Sequence, residues 1–544
     1  MNRSAAARFG AAAVSGALLA AARPPLDLGP LAGVALVPLF VAWRGQRPRA
    51  AAAYAFVAAA VYYALLMSWS WYFGTIAIVP LVVVLAAYWA GAGALLGWLA
   101  RRGVANPFLI AAVWVLAEAT VARVPLGGFS WGEVGYAFHN VAAARALASD
   151  GGVELVTFIA VACNAVLADA YVAVRVRPTV TRTTWLRLGA AAAVIVLVPT
   201  VATAARTEPH PAGPLRVALL QGNNLNRDLT PAEEAARYLP NSHFELATRI
   251  LGPVDLVVFP ESSMDADPRT DAYLRRRITA VARRTGAWVL TNASVDAPAH
   301  GKRPAGAKGL NLDVLFAPDG SVEGTYAKRH LVPFGEYVPF RSALEGWVGA
   351  LKQVPRDDET GKSPGLFRIA HHEVATIICF ESAFGYQVRP LVHAGAQVIV
   401  VSTNNRSYER SANSAQHVAI GQIRAAESGR PVVQAAISGI TALIDADGVV
   451  HQHTKLFQRT LVEATVATTT GETPYVRYGE WAIWASTVGV IGALLLAWRR
   501  ARRARFIDSG PRAAADEMLP PYRPAHPTGT SSKASAETAS GDWT

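Results

Sequence analysis

Three side chains of this 544-residue chain, Glu261, Lys328 and Cys379, have the types and settings that acyl chemistry needs. Glu261 closes the run Val257-Val258-Phe259-Pro260-Glu261, Lys328 lies in Tyr326-Ala327-Lys328-Arg329-His330, and Cys379 closes Thr376-Ile377-Ile378-Cys379. A thiol attacks a carbonyl as its thiolate, so it needs a base to take the proton and a cation to hold the charge. A carboxylate supplies the first. An ammonium supplies the second and steadies the oxyanion formed after attack. Each residue also has a plainer reading: a packing cysteine, a helix-capping acid, a solvated charge. Cys163, mid-way along an apolar stretch with no base beside it, reads as packing, and His330 as structural. With two cysteines and no Cys/His spacing of a zinc site, neither a disulfide scaffold nor a metal is expected, and no cofactor is implied.

The elements that hold these residues are legible as short apolar runs bounded by turn signals. Runs at 215–220, 254–259, 287–291, 374–380 and 397–402 predict buried strands. Helical patterns fall between them, around 231–250, 271–285, 383–394 and 411–428. Asp319-Gly320 and Asp447-Gly448 predict hairpin turns. Alternating strands and helices predict one layered α/β domain over 206–478.

The rest of the chain has a different character. It is 52% hydrophobic and 17% charged overall, against roughly 25% charged in a soluble protein. That excludes a disordered chain and argues for a membrane protein. Apolar stretches long enough for helical spans run about 5–22, 28–43, 51–68, 75–100, 105–122, 152–174, 185–205 and 481–498. The second is short and broken by Pro30 and Pro38. The first also fits a signal peptide, with Ala20-Ala21-Ala22 as a cleavage site.

Lysine and arginine exceed acids 51 to 39, a net +12, and position explains the excess. Arg3 and Arg8, Arg44 to Arg49, Arg101 and Arg102, Arg175 to Arg187 and Arg499 to Arg505 occupy every second connection. This is the positive-inside pattern, with both termini cytoplasmic and 206–478 outside. Each basic run abuts a span, so nucleic acid is not indicated. The opposite connections are aromatic: Trp69, Trp71, Tyr72 and Phe73, then Phe129, Trp131, Tyr136 and Phe138. They read as an interfacial belt or as a lipid-facing rim beside a site. Glu118 and Glu154 are costly intramembrane acids without an assigned role. The expected organisation is therefore 1–205 with seven spans, a catalytic domain at 206–478, an eighth span at 479–500, and a Pro/Ser/Thr/Ala-rich cytoplasmic tail at 501–544, expected to be disordered.

The three motifs in this order resemble the Glu-Lys-Cys triad of the nitrilase, or carbon-nitrogen hydrolase, superfamily. Such a domain inserted before the last of eight membrane helices resembles the apolipoprotein N-acyltransferase family. The most specific segment is Lys328-Arg329-His330-Leu331-Val332-Pro333-Phe334-Gly335-Glu336-Tyr337-Val338-Pro339-Phe340; Gln221-Gly222-Asn223 and Arg424 to Pro431 are also similar. The resemblance implies an αββα sandwich on an eight-helix bundle. It implies Cys379 as nucleophile, Glu261 as base, and Lys328 with backbone N–H groups near Phe380 as oxyanion holders. Glu336 and Glu381 would support the triad. It also implies a phospholipid acyl donor and diacylglyceryl-modified apolipoproteins as acceptors. The Ala- and Arg-rich composition resembles that of a high-GC bacterium, where the family admits a polyprenol-phosphate mannose synthase as partner. Departures occur at Phe380, where tyrosine is common, at Asn311-Leu312-Asp313, after Gln221-Gly222-Asn223, where a tryptophan is often found, and at 403–408. The competing readings are a tethered amidase using water as acceptor and a non-catalytic lipoprotein-binding scaffold.

Overall fold

The computed structural model describes residues 3–508 apart from 177–180, 207, 226, 300–303, 305, 345–350 and 352–353. The first part is helical: α1 (Arg3–Ala21), α2 (Val37–Trp43), α3 (Pro48–Leu66), α4 (Thr75–Arg101), α5 (Pro107–Val121), α6 (Ala142–Val176) and α7 (Arg182–Ala204). Pro48 and Pro107 open their helices in the first turn, where a missing N–H costs nothing. Asn106 caps α5 by accepting the Leu109 N–H at 2.9 Å. Small residues set the packing distance. A methyl on Gly16 would stand 2.2 Å from the Ala58 carbonyl oxygen, and one on Gly93 2.8 Å from that of Ala51. Helices α1 and α4 therefore pack backbone-close on α3, as membrane helices do.

Among the described residues six helices are long and apolar enough to cross a bilayer. The expected spans at 28–43 and 105–122 appear as the shorter apolar helices Gly29–Trp43 and Pro107–Val121. Helix α6 starts ten residues before the expected 152 and is broken at Gly151 and Gly152, whose φ values are −148° and +75°. The break frees the Val153 N–H, which donates to the Glu427 carboxylate at 2.6 Å. A carboxylate at a fresh helix start suits the helix dipole.

The second part contains twelve strands: β1 (His210–Gln221), β2 (Leu256–Val258), β3 (Trp288–Asp296), β4 (Gly309–Phe316), β5 (Val322–Ala327), β6 (Leu366–Ile369), β7 (His372–Ile378), β8 (Val398–Thr403), β9 (Val432–Ala436), β10 (Ala442–Ile444), β11 (Val450–His453) and β12 (Thr460–Thr470). They form two six-stranded sheets, ordered β12-β1-β2-β3-β4-β5 and β11-β10-β9-β8-β7-β6. Strands β1, β2 and β3 run parallel, as do β7, β8 and β9; the outer pairs are antiparallel. The helices are α8 (Pro231–Ala235), α9 (Tyr238–Ala247), α10 (Ala272–Thr285), α11 (Arg341–Leu344), α12 (Gly385–His393), α13 (Asn413–Ser428) and α14 (Pro474–Tyr478), followed by α15 (Trp481–Asp508). Residues of the expected tail beyond Asp508 lie outside the described residues.

Between the sheets, Leu215, Val217, Leu219 and Val258 meet Val374, Val398, Val400 and Val433 in one buried cluster. The outer face of the first sheet is covered by Leu246 of α9 and Ile278 of α10. That of the second is covered by Val388 of α12, Val418 of α13 and Val476 of α14. The layers are α-β-β-α, as expected. Helix α13 has a second duty: its Ile420, Ile423 and Ala426 belong to the same core as the apolar helices. It is the slab between the sandwich and the membrane half.

Candidate active site

Strand ends converge at one place. Lys328 and Cys379 are the first residues after β5 and β7, and Glu261 is the third after β2. The chain turns sharply there. Cys379 has φ +51° and Ser262, next to Glu261, has φ +60°. A left-handed non-glycine backbone is strained and persists only where its surroundings impose it. At Cys379 the imposing group is Glu381. Its carboxylate accepts the N–H groups of Ile378 at 2.7 Å, Arg329 at 2.7 Å and His330 at 3.0 Å. It also accepts the Tyr326 hydroxyl at 2.8 Å. Glu381 thus ties the Lys328 segment to the Cys379 turn, joining the two sheets at their ends.

Lys328 is 1% exposed. Its Nζ donates to Glu336 at 2.8 Å and to Glu261 at 3.3 Å. Burial opposes its charge, but the two carboxylates outweigh that and hold the ammonium well above the ordinary lysine range. The Asn311 amide bridges the same pair, donating to Glu261 at 2.7 Å and Glu336 at 3.1 Å. The other oxygen of Glu261 accepts the Asn404 N–H at 2.7 Å. Glu336 also accepts the Val332 N–H at 2.8 Å.

Cys379 keeps partial exposure, and the Thr403 hydroxyl oxygen lies 3.2 Å from its sulfur. Burial first, then the negative charge of Glu261, push the thiol up to about 12, against the pull of Lys328. Cys379 therefore rests as a thiol at neutral pH. With one ammonium already shared between two carboxylates, a free thiolate is not stabilised in advance. Attack has to be coupled to removal of the proton by a base.

Phe380 does a different job. Its ring lies 5.6 Å from Phe129, 6.2 Å from Trp131 and 5.0 Å from Phe384, so the Cys379 turn is wedged against the membrane half. The Tyr136 hydroxyl donates to the Ala383 carbonyl at 3.1 Å and receives Arg424 Nη2 at 2.8 Å. Gln416 of α13 is held on all sides. The indoles of Trp69 and Trp131 donate to it at 3.1 and 2.8 Å, and it donates to the Pro24 and Leu66 carbonyls at 3.1 Å each. The aromatic connections therefore split. Trp69, Trp131 and Tyr136 are buried against the sandwich, while Trp71 and Tyr72 are about half exposed, at 53% and 51%.

The structure brings Glu261, Lys328, Glu336, Cys379, Phe380 and Glu381 into one neighbourhood. Cys163 lies apart, in α6. His330 packs its ring 3.9 Å from that of Phe384. Glu118 accepts the Trp114 indole N–H, the Val134 N–H and the Thr157 hydroxyl at 3.0–3.1 Å, fastening the 122–141 connection to α5 and α6. Asn311, Thr403, Asn404 and His417 were not singled out for chemistry by sequence. Only the departure at 311–313 and that at 403–408 pointed to the segments holding three of them. Among the described residues no three His, Cys, Asp or Glu side chains are grouped to hold a metal.

An α-β-β-α domain with a thiol, an ammonium and carboxylates at its strand ends, packed on apolar helices, defines a membrane-associated protein of carbon-nitrogen hydrolase type. Residues 216–475 match the family model for carbon-nitrogen hydrolase, and residues 15–166 match that for the apolipoprotein N-acyltransferase N-terminal domain. An apolipoprotein N-acyltransferase of Geobacter metallireducens is 32% identical over 513 residues, 90% of this chain and 95% of the relative. One of Azotobacter vinelandii is 31% identical over 91% of this chain and 95% of the relative. The chain belongs to the apolipoprotein N-acyltransferase family. Among solved structures, an amidase variant from Nesterenkonia is 16% identical with a TM-score of 0.36, covering 50% of this chain and 98% of the amidase.

Proposed function

We propose that the protein moves a fatty acyl chain from a membrane phospholipid to the α-amino group of the N-terminal S-diacylglyceryl cysteine of apolipoproteins, by way of a thioester on Cys379. Glu261 takes the Cys379 proton as the sulfur attacks the ester carbonyl. Lys328 and the backbone N–H groups after the nucleophile hold the oxyanion. The ester C–O bond then breaks, and the lysophospholipid leaves with the proton from Glu261. In the second half the acceptor amine attacks the thioester, the C–S bond breaks, and the amine's proton returns to the sulfur through Glu261. Glu336 orients Lys328, and Glu381 fixes the turn that presents Cys379.

The observation that carries this reading is the buried Lys328, wedged between Glu261 and Glu336 and electrostatically coupled to a cysteine whose turn packs on the membrane half. Both substrates keep their chains in the bilayer, so a site resting on apolar helices suits them. It also limits water, which would otherwise hydrolyse the thioester. The arginine runs support cytoplasmic termini and a catalytic domain, 206–478, on the outer face, with 1–205 and 479–500 in the membrane. The mannose synthase partner has no observation behind it and is not carried further.

The test is intact-mass analysis after incubation with phospholipid. An acyl-sized adduct on the wild type, removed by hydroxylamine and absent from Cys379→Ala, is the expected result. Adding a diacylated lipopeptide should discharge it into a triacylated product. Discharge to free fatty acid at the same rate with or without lipopeptide would instead make water the acceptor and overturn the transferase reading.

A further inference from the structure

Thr403, the last residue of β8, and His417, near the start of α13, lie outside the three motifs, yet Thr403 reaches the Cys379 sulfur and His417 reaches Thr403. Thr403 Oγ1 is 3.2 Å from Cys379 Sγ, 3.2 Å from Asn405 Oδ1 and 3.4 Å from His417 Nδ1. At the far edge of the imidazole, Nε2 is 2.6 Å from Ser382 Oγ, and that hydroxyl donates to the Cys379 carbonyl at 2.9 Å. Thr403, Asn405, His417 and Ser382 are all buried.

With Ser382 donating its one hydrogen to the Cys379 carbonyl, the short contact at Nε2 is made by an N–H at that nitrogen. Burial holds His417 down at about 4, so the ring is neutral, and in that tautomer Nδ1 carries a lone pair. Asn405 donates through Nδ2 to Asn413 at 2.9 Å, which turns its carbonyl oxygen to Thr403. The single hydrogen of the Thr403 hydroxyl therefore has three acceptors within reach: a sulfur, an amide oxygen and a ring nitrogen.

We infer that Thr403 is a further catalytic residue, whose hydroxyl hydrogen turns to the sulfur as the thiolate forms and back to Asn405 or His417 when the sulfur is neutral, with Ser382 and His417 as the residues that position it. The inference rests on the acyl-transfer reading of Cys379. A neutral thiol or thioester sulfur is a poor acceptor, whereas a thiolate makes a charge-assisted bond about twice as strong as a neutral one. The bond is thus stronger in the charged state than in the resting state, and only such interactions speed a chemical step. It also answers a need of this site. Lys328 is already committed to two carboxylates, so a neutral donor adds stabilisation where the cation alone is divided.

The experiment measures alkylation of Cys379 by iodoacetamide, followed by intact mass, in the full-length protein in detergent micelles. A Cys163→Ala background leaves Cys379 as the only thiol. Alkylation rate follows the thiolate fraction and needs no lipid, so failure here leaves the acyl-transfer reading standing, and failure of thioester formation leaves this result readable. Thr403→Val and Thr403→Ala should slow alkylation at pH 8 about 10-fold and move the rate–pH curve to higher pH, as expected for a lost hydrogen bond to a charged group. Thr403→Ser should stay within about twofold of wild type, and His417→Gln should slow the reaction about threefold. Glu261, Lys328, Tyr408 and His417 are the ionisable groups facing the sulfur, and the Thr403 variants share all four, so a shift between them reports the hydroxyl. Wild-type rates in both Thr403→Val and Thr403→Ala, or a Thr403→Ser variant as slow as Thr403→Val, would overturn the inference.

Discussion

On the side of the first sheet, one ammonium, two carboxylates and a carboxamide meet within 2.7–3.3 Å of one another around Lys328. On the side of the second sheet, the neighbours of Cys379 are a hydroxyl, a neutral imidazole and aromatic rings. The first side is fixed because Lys328, Glu261, Glu336 and Asn311 hydrogen-bond to one another. The second is adaptable because its hydrogen bonds have alternative partners. A base and an oxyanion holder need fixed geometry. On the proposed mechanism, a nucleophile that becomes thiolate, tetrahedral adduct and thioester in turn needs neighbours that follow it. Neither side is a site until the two sheets pack together.

The comparison breaks most sharply at Glu261. Glu261→Gln keeps the hydrogen-bond acceptor toward Lys328 or Asn311 but removes the base. Rate constants for thioester formation should fall about 10³-fold, within the range for loss of general-base catalysis. Single-turnover mass spectrometry with phospholipid measures it. A variant within tenfold of wild type would remove Glu261 from proton transfer.

Next in size is Lys328→Met, which leaves Glu261 and Glu336 buried without their counter-charge. Breaking a buried pair from one side costs about 3–5 kcal/mol, so the variant should unfold at clearly lower temperature than wild type. Lys328→Met with Glu336→Gln should recover part of that loss without recovering activity. The Thr403 variants, on the neutral side, should change thermal stability far less. Equal losses on both sides would erase the distinction drawn above.

How much of this could be read from the chain follows from the same physics. The strands that announced themselves, at 215–220, 254–259, 287–291, 374–380 and 397–402, overlap β1, β2, β3, β7 and β8, in the parallel centres of the two sheets. Both faces of such strands are covered, so their sequences are continuous apolar runs. Strand β12, with five threonines, and β4, with Asn311 and Asp313 in its middle, gave no such run. The helical pattern at 231–250 gave one helix where there are two, because Arg237 takes a left-handed φ of +53° between α8 and α9. Glu261, Lys328 and Cys379 were legible because Glu261 and Cys379 each close an apolar run and Lys328 opens a recognisable motif. His417 was not. It is one polar residue on a helix, and only the packing of α13 between sandwich and membrane half brings it to Thr403 and Ser382 beside Cys379. Asn311 was visible as a departure, but its bridge between two carboxylates depends on the pairing of β4 with β3 and β5.

The junction between the halves sharpens the comparison further. Gln416→Leu would leave two indole N–H groups and two carbonyls, all buried, without partners. Each unsatisfied group costs about 1–3 kcal/mol, partly relieved by water, so a net loss of about 2–4 kcal/mol is expected. The Cys379 side of the site should be disturbed first, since Trp131 contacts both Gln416 and Phe380. Faster hydrolysis of the Cys379 thioester, with the Lys328 cluster unchanged in its contribution to stability, is the expected pattern. Unchanged thioester lifetime would show that the junction does not control water at the site.

The smallest effect is a pH dependence on the neutral side. Burial holds His417 at about 4 in the folded protein, while an unfolded histidine takes its proton near pH 6.5. The unfolded state therefore binds more protons as pH falls from 6.5 toward 4, and stability is lost on acidification through that window. At pH 5.5 one such histidine should cost about 1.4 kcal/mol, since one unit of titration is worth that much. His243 and His330, also held at about 4 by burial, act in the same direction. Replacing one of the three by a residue that does not titrate, as in His417→Gln, should flatten the loss of thermal stability between pH 7 and 5 by one proton's worth. An unaltered slope would mean that His417 already carries a proton in the folded state. In that case its Nδ1 could not accept from Thr403, and the hydroxyl would have one fewer place to turn.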